Sequence, residues 1–115
     1  ANGFSLSPDP DPAEVIFVRS DQYSFIRQGI PAIYLDPGPA TVGGGDEGME
    51  LVGEFRRQHY HRPSDDPSRP VNWDSAVRFT RMNASMTREI ADATERPRWN
   101  KGDFFGVLFD GYGAK

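Results

Sequence analysis

Ten prolines and twelve glycines punctuate this chain of 115 residues. Each proline removes a backbone donor and each glycine weakens an element interior, so sustained regular structure is confined to the stretches between them. The longest such stretch runs through Asp74 to Thr94 and predicts the chain's one long helix. Phe79, Met82, Met86 and Ile90 recur there at steps of three, four and four, which places them on one face. That stripe is read as packing surface rather than a cofactor box. Asp74 is the expected N-cap, and Arg96-Pro97 ends the helix.

The remaining elements should be short. Residues 1 to 14 contain Pro8-Asp9-Pro10-Asp11-Pro12 and read as an extended lead-in. Val15-Ile16-Phe17-Val18 suits a strand or a buried approach, and Ser20 or Asp21 offers an N-cap for a helix from Asp21 to about Gln28. Gly29 fits the end of that helix, where a left-handed conformation is common. Ile30-Pro31-Ala32-Ile33-Tyr34-Leu35 is a nearly continuous apolar run between turn signals and reads as a strand buried on both faces. Residues 36 to 48 form a glycine-rich loop without the Lys-Ser/Thr ending of a phosphate-binding loop. Met49 to Arg57 should form a short amphipathic helical turn, and the aromatics from Trp99 to Phe109 should dock against a core.

A length of 115 residues with 37% hydrophobic content suits one modest core. The net charge of −4 argues against a nucleic-acid partner, which calls for a clustered basic face. Arg56, Arg57 and Arg62 are balanced locally by Asp65 and Asp66 and read as a mixed-charge surface. The absence of cysteine excludes disulfides and thiolate zinc sites and leaves the redox compartment open. No apolar run approaches the roughly 18 residues that span a bilayer. A start at Ala1 without Met or signal-peptide character reads as a processed or excised piece.

Chemistry centres on His59-Tyr60-His61-Arg62-Pro63-Ser64-Asp65-Asp66, which holds both histidines of the chain. Neutral imidazole is a common zinc ligand, and a neighbouring carboxylate can orient it. In an extended segment His59 and His61 would share a face while Tyr60 pointed to the other. Spacing leaves two readings open: a metal role, or surface and hydrogen-bonded loop residues. Two histidines lack the third protein ligand typical of catalytic zinc.

Three motifs together carry a resemblance: Arg19-Ser20-Asp21-Gln22-Tyr23-Ser24-Phe25, Gly29-Ile30-Pro31-Ala32 and Tyr60-His61-Arg62-Pro63-Ser64-Asp65. In order, spacing and chemistry they resemble the C-terminal part of the di-zinc aminopeptidases, the zinc-dependent exopeptidases of the bacterial leucyl aminopeptidase and aminopeptidase Y type. The likeness covers roughly residues 8 to 105. It implies an α/β fold: the C-terminal piece of a three-layer α/β/α sandwich, with few strands and one long helix, so that residues 1–115 belong to a single peptidase catalytic domain. It implies that His61 is the last of five protein ligands to a zinc pair. Tyr60 occupies the position whose hydroxyl, in some members, stabilises the tetrahedral oxyanion. Asp65 matches the motif's acidic position, where orienting the loop or ligand and forming a turn are both open. Arg19, Ser20 and Asp21 would cap and position a helix near the substrate pocket, to which Phe25 would contribute. His59 has no family role.

In a complete enzyme of this kind two zinc ions activate a bridging water and polarise the peptide carbonyl, with a glutamate as general base, to release N-terminal residues from peptides. The other ligands and the glutamate lie in upstream motifs that these residues do not match. This chain alone is therefore expected to hold no zinc pair and to be inactive, its partners being the remainder of the same domain and the peptide substrate. An unpaired sheet edge at Ile30 to Leu35 would favour self-association. A periplasmic or extracellular parent fits the family. The rival reading is a non-catalytic binding module that keeps the motifs without the chemistry.

Overall fold

A computed structural model describes residues 3–38, 40, 45 and 47–115. Among them every regular element is helical. Helices α1 (Gln22–Ile26), α2 (Glu47–Gln58), α3 (Trp73–Asp92) and α4 (Phe104–Leu108) are accompanied by 3-10 turns at Pro12–Glu14 and Ile16–Val18. Residues 39, 41–44 and 46 of the glycine-rich loop lie outside the described residues.

The expected α/β sandwich is thus overturned, since no strand forms among the described residues. The run Ile30 to Leu35 is irregular, with Ile30, Ile33 and Tyr34 exposed, and the sheet edge expected to mediate self-association is absent with it. A strand is stabilised by bonds to neighbouring strands, and no other described segment supplies one. Pro31 also removes a donor from the run. Ile16–Val18 closes on itself instead, through bonds from the Val18 N–H to the Val15 carbonyl (3.1 Å) and from the Arg19 N–H to the Ile16 carbonyl (3.0 Å). The lead-in also departs from extension where Pro12, at the first position of a 3-10 turn, starts Pro12–Glu14.

The chain divides into two compact units, Ala1–Pro10 with Pro37–Asn83, and Asp11–Asp36 with Ala84–Lys115. The second unit holds the core. Ile26, Trp99 and Ala114 are buried there, with Phe17, Tyr23, Ala32, Phe105 and Phe109 packed around them. Tyr23 meets Phe105 and Phe109 edge-on, each at 6.3 Å between ring centroids, which is a favoured aromatic geometry. The tail therefore docks where α1 begins. The Trp99 indole N–H donates to the Gly29 carbonyl at 2.8 Å and pins the turn after α1 to the tail. Gly106 and Gly111 permit that approach: a Cβ on Gly111 would lie 2.4 Å from Trp99, and one on Gly106 would lie 2.7 Å from it.

The end of α1 follows from Gly29, whose φ is +76°. Its N–H reaches the Ile26 carbonyl at 2.8 Å, and the next N–H, of Ile30, reaches Phe25 at 3.2 Å, the paired bonds of a Schellman terminus. Asp21 occupies the N-cap position of α1 with helical φ and ψ, and its side chain makes no capping bond. Gln22 is anchored instead, by its side-chain amide, to the Phe17 carbonyl at 2.8 Å.

In the first unit, α2 extends the helical turn expected at Met49 to Arg57. The cap of α3 is Asn72 rather than Asp74: its side-chain oxygen accepts from the Ser75 N–H at 3.0 Å. Asp74 sits inside the first turn, where its charge still suits the helix dipole. Along α3, Phe79, Met82 and Met86 are half-buried and Ile90 is exposed, so the stripe exists but no residue of the helix is fully buried. No helix among the described residues is long and apolar enough to cross a membrane.

Candidate metal-ligand turn

The C-terminus of α2 delivers the histidine cluster. Arg56 and Arg57 lie in the last turn, where positive charge complements the helix dipole. The Phe55 carbonyl then accepts from both the His59 N–H (2.8 Å) and the Tyr60 N–H (3.1 Å), so Tyr60 still hangs from the helix. His61 breaks away with φ +57°, in the left-handed region that a residue with a Cβ rarely adopts. Such a residue costs about 1–2 kcal/mol, and the surrounding bonds must hold it.

Those bonds are consecutive turns. The Arg62 N–H reaches the His59 carbonyl at 2.9 Å, the Asp65 N–H reaches Arg62 at 2.9 Å, and the Arg69 N–H reaches Asp66 at 3.2 Å. The segment is coiled, not extended, which corrects the expectation that Tyr60 and His61 point in opposite directions. Their rings stack instead, with centroids 3.8 Å apart and planes 22° from parallel. The Phe55 ring lies beneath the neighbouring residues, 6.1 Å from His59 and 6.4 Å from Tyr60.

The two histidines differ in their partners. His59 is half-buried, and its Nδ1 lies 3.0 Å from the Ser64 hydroxyl and 3.1 Å from Arg69 Nη1. A guanidinium only donates, so that geometry assigns Nδ1 as an acceptor and places the proton of neutral His59 on Nε2. His61 is exposed, and among the described residues nothing hydrogen-bonds its ring. Its lone pair is available to an external ligand, as metal coordination requires. Tyr60 is 51% exposed, with its hydroxyl on the same stacked pair.

Asp65 closes a turn through its backbone, and its exposed carboxylate contacts neither histidine. Asp66 is more engaged. The Ser68 hydroxyl and backbone N–H both donate to Oδ1, the latter at 2.8 Å, and with Arg69 nearby they hold the Asp66 carboxyl below the ordinary aspartate range.

The other proposed site residues belong to the second unit. Arg19 folds back on Glu14, donating to its carboxylate at 3.0 Å and its carbonyl at 3.1 Å. Ser20 and Asp21 contribute carbonyls to the first turn of α1, accepting from Tyr23 (3.1 Å) and Ser24 (3.2 Å). Phe25 is 59% exposed. Sequence reasoning missed Arg69 and the part played by Ser64, because a contact closed by three turns leaves no periodic signal.

No group of three or more His, Cys, Asp or Glu side chains able to hold a metal ion is found among the described residues. The exposed imidazole of His61 has donor chemistry of the kind a metal takes, and the described residues do not supply a full ligand set beside it. No curated protein and no solved structure is matched by this chain. The sequence model of peptidase family M28 matches residues 1–87, a span that includes all three motifs and the whole turn from His59 to Arg69.

Proposed function

Since the chain belongs to peptidase family M28, we propose that it forms part of a zinc-dependent aminopeptidase of the bacterial leucyl aminopeptidase and aminopeptidase Y type. His61 serves as one ligand of a zinc pair and Tyr60 as a hydrogen-bond donor to the oxyanion. The observation that carries this reading is the exposed, unengaged imidazole of His61, held in a left-handed turn and stacked on Tyr60 within the matched span. The remaining ligands and the general base come from residues outside this chain, because one imidazole cannot retain zinc for catalysis. Bound zinc supplies an activated water and a polarised carbonyl. Tyr60, aligned by the stack, donates to the oxygen that gains charge as the N-terminal peptide bond is attacked. Ser20 and Asp21 accept the first bonds of α1, Arg19 ties the preceding turn to Glu14, and Phe25 on that helix offers an exposed apolar surface. Such a protein would act in the periplasm or outside the cell.

The test uses the complete protein that carries these residues. His61→Ala should lower the bound zinc and abolish release of amino acids from aminoacyl substrates. Tyr60→Phe should keep the zinc and KM while lowering kcat by about 10²–10³-fold, the usual cost of one oxyanion donor. Unchanged zinc content and turnover in His61→Ala would overturn the proposal. A complete protein that binds peptides without zinc or cleavage would instead be the non-catalytic module.

A further inference from the structure

Nine side chains follow His59 before Arg69 is reached, and every one of them is exposed, whereas His59 and Arg69 are both half-buried. The two that withdraw from solvent are the two that touch, through Arg69 Nη1 and His59 Nδ1 at 3.1 Å, with the Ser64 hydroxyl on the same nitrogen at 3.0 Å. The contact therefore joins the first and last residues of the coil. Between them lies His61 in its left-handed conformation, which local preference disfavours.

Backbone bonds alone leave that strain poorly opposed. The Arg62 to His59 bond closes the turn around Tyr60 and His61, but an exposed turn bond competes with water and contributes little net stability. The side-chain contact adds a charge-assisted bond, partly shielded from solvent, at the residue whose carbonyl closes that turn. His59 is thus held by its N–H on Phe55 and its carbonyl within the turn, and by its ring from Arg69 and Ser64.

We infer that Arg69, acting through His59 with Ser64 as a second donor, is a positioning residue that fixes the left-handed turn and with it the stacked presentation of Tyr60 and His61. This gives His59 the role that the family resemblance leaves blank. It rests on the proposed function only in taking Tyr60 and His61 as the pair that acts.

Ring-current shifts read the stack directly. In the 115-residue chain the His61 ring lies over the face of Tyr60, with centroids 3.8 Å apart and planes 22° from parallel, so its protons should resonate upfield of their positions in a Tyr60→Ala chain. Arg69→Ala should remove that displacement, Arg69→Lys should retain part of it, because an ammonium also donates to Nδ1, and Ser64→Ala should reduce it less than Arg69→Ala. Amide signals of α2 report whether the helix persists. A displacement untouched by Arg69→Ala would overturn the inference, as would its absence from the parent chain. Unwinding of α2 in Arg69→Ala would overturn it too, since the contact would then hold the helix and not the turn. No metal or substrate enters this readout, so its failure leaves the peptidase proposal standing, and failure of the zinc experiment leaves the turn's mechanics standing.

Discussion

At the scale of single residues, the presentation of Tyr60 and His61 is set by bonds to their near neighbours. The left-handed φ of His61 and its stack on Tyr60 both depend on bonds to Phe55, His59 and Arg62. Asp66 offers a test of this local architecture. Its carboxyl is held below the ordinary aspartate value first by the Ser68 hydroxyl, then by the Ser68 N–H, with a smaller effect from Arg69. A carboxyl lowered in the folded state favours that state at pH above its unfolded value, and the benefit is lost as pH falls through the lower folded value. The Asp66–Arg69 turn should therefore hold at neutral pH and open only on the acid side of ordinary aspartate titration. Carbon-detected NMR titration should give Asp66 a midpoint below the ordinary aspartate value, and Ser68→Ala should move it back up. A native midpoint equal to the ordinary value would rule this account out.

Among elements, helices were read more faithfully than strands. Helical bonds join residues three or four apart, so the pattern of Phe79, Met82 and Met86 and the glycine at position 29 carry most of what α3 and the end of α1 need. The cap of α3 shifted from Asp74 to Asn72 because capping is decided by where the backbone turns, and both residues are chemically able. A strand's partners lie elsewhere in the chain, and Ile30 to Leu35 has none among the described residues. The Schellman terminus of α1 can be measured against a second glycine. Gly29 and Gly102 share nearly the same φ, +76° and +79°, but a Cβ at 29 would meet the Phe109 carbonyl oxygen at 3.1 Å, whereas one at 102 meets nothing within 4 Å. Gly102→Ala should cost about 1–2 kcal/mol from backbone strain alone. Gly29→Ala should cost more in urea denaturation, and equal costs would show that the close approach is immaterial.

For the whole molecule, burial is concentrated in one place. Ile26, Trp99 and Ala114 are the buried hydrophobics among the described residues, while Leu6, Leu51, Trp73 and Phe104 remain largely exposed. Trp99→Ala should therefore cost the second unit about 3–5 kcal/mol, most of what a small domain possesses. Trp99→Phe keeps most of the ring volume but leaves the Gly29 carbonyl without its indole donor, for a smaller loss of about 1–3 kcal/mol. Thermal unfolding followed by circular dichroism checks both, and a Trp99→Ala chain within about 0.5 kcal/mol of the parent would deny Trp99 its central place. The sequence by itself determined what is local or chemical: the long helix, the glycine stop at 29, the family, and the residue types offered for zinc chemistry. Tertiary structure alone decided that the apolar run at 30–35 stays unpaired, that Trp99 reaches back seventy residues to Gly29, and that Arg69 closes on His59. Those outcomes depend on which distant groups become neighbours, and the entropy of closing a loop depends so weakly on its length that spacing in the chain does not announce them.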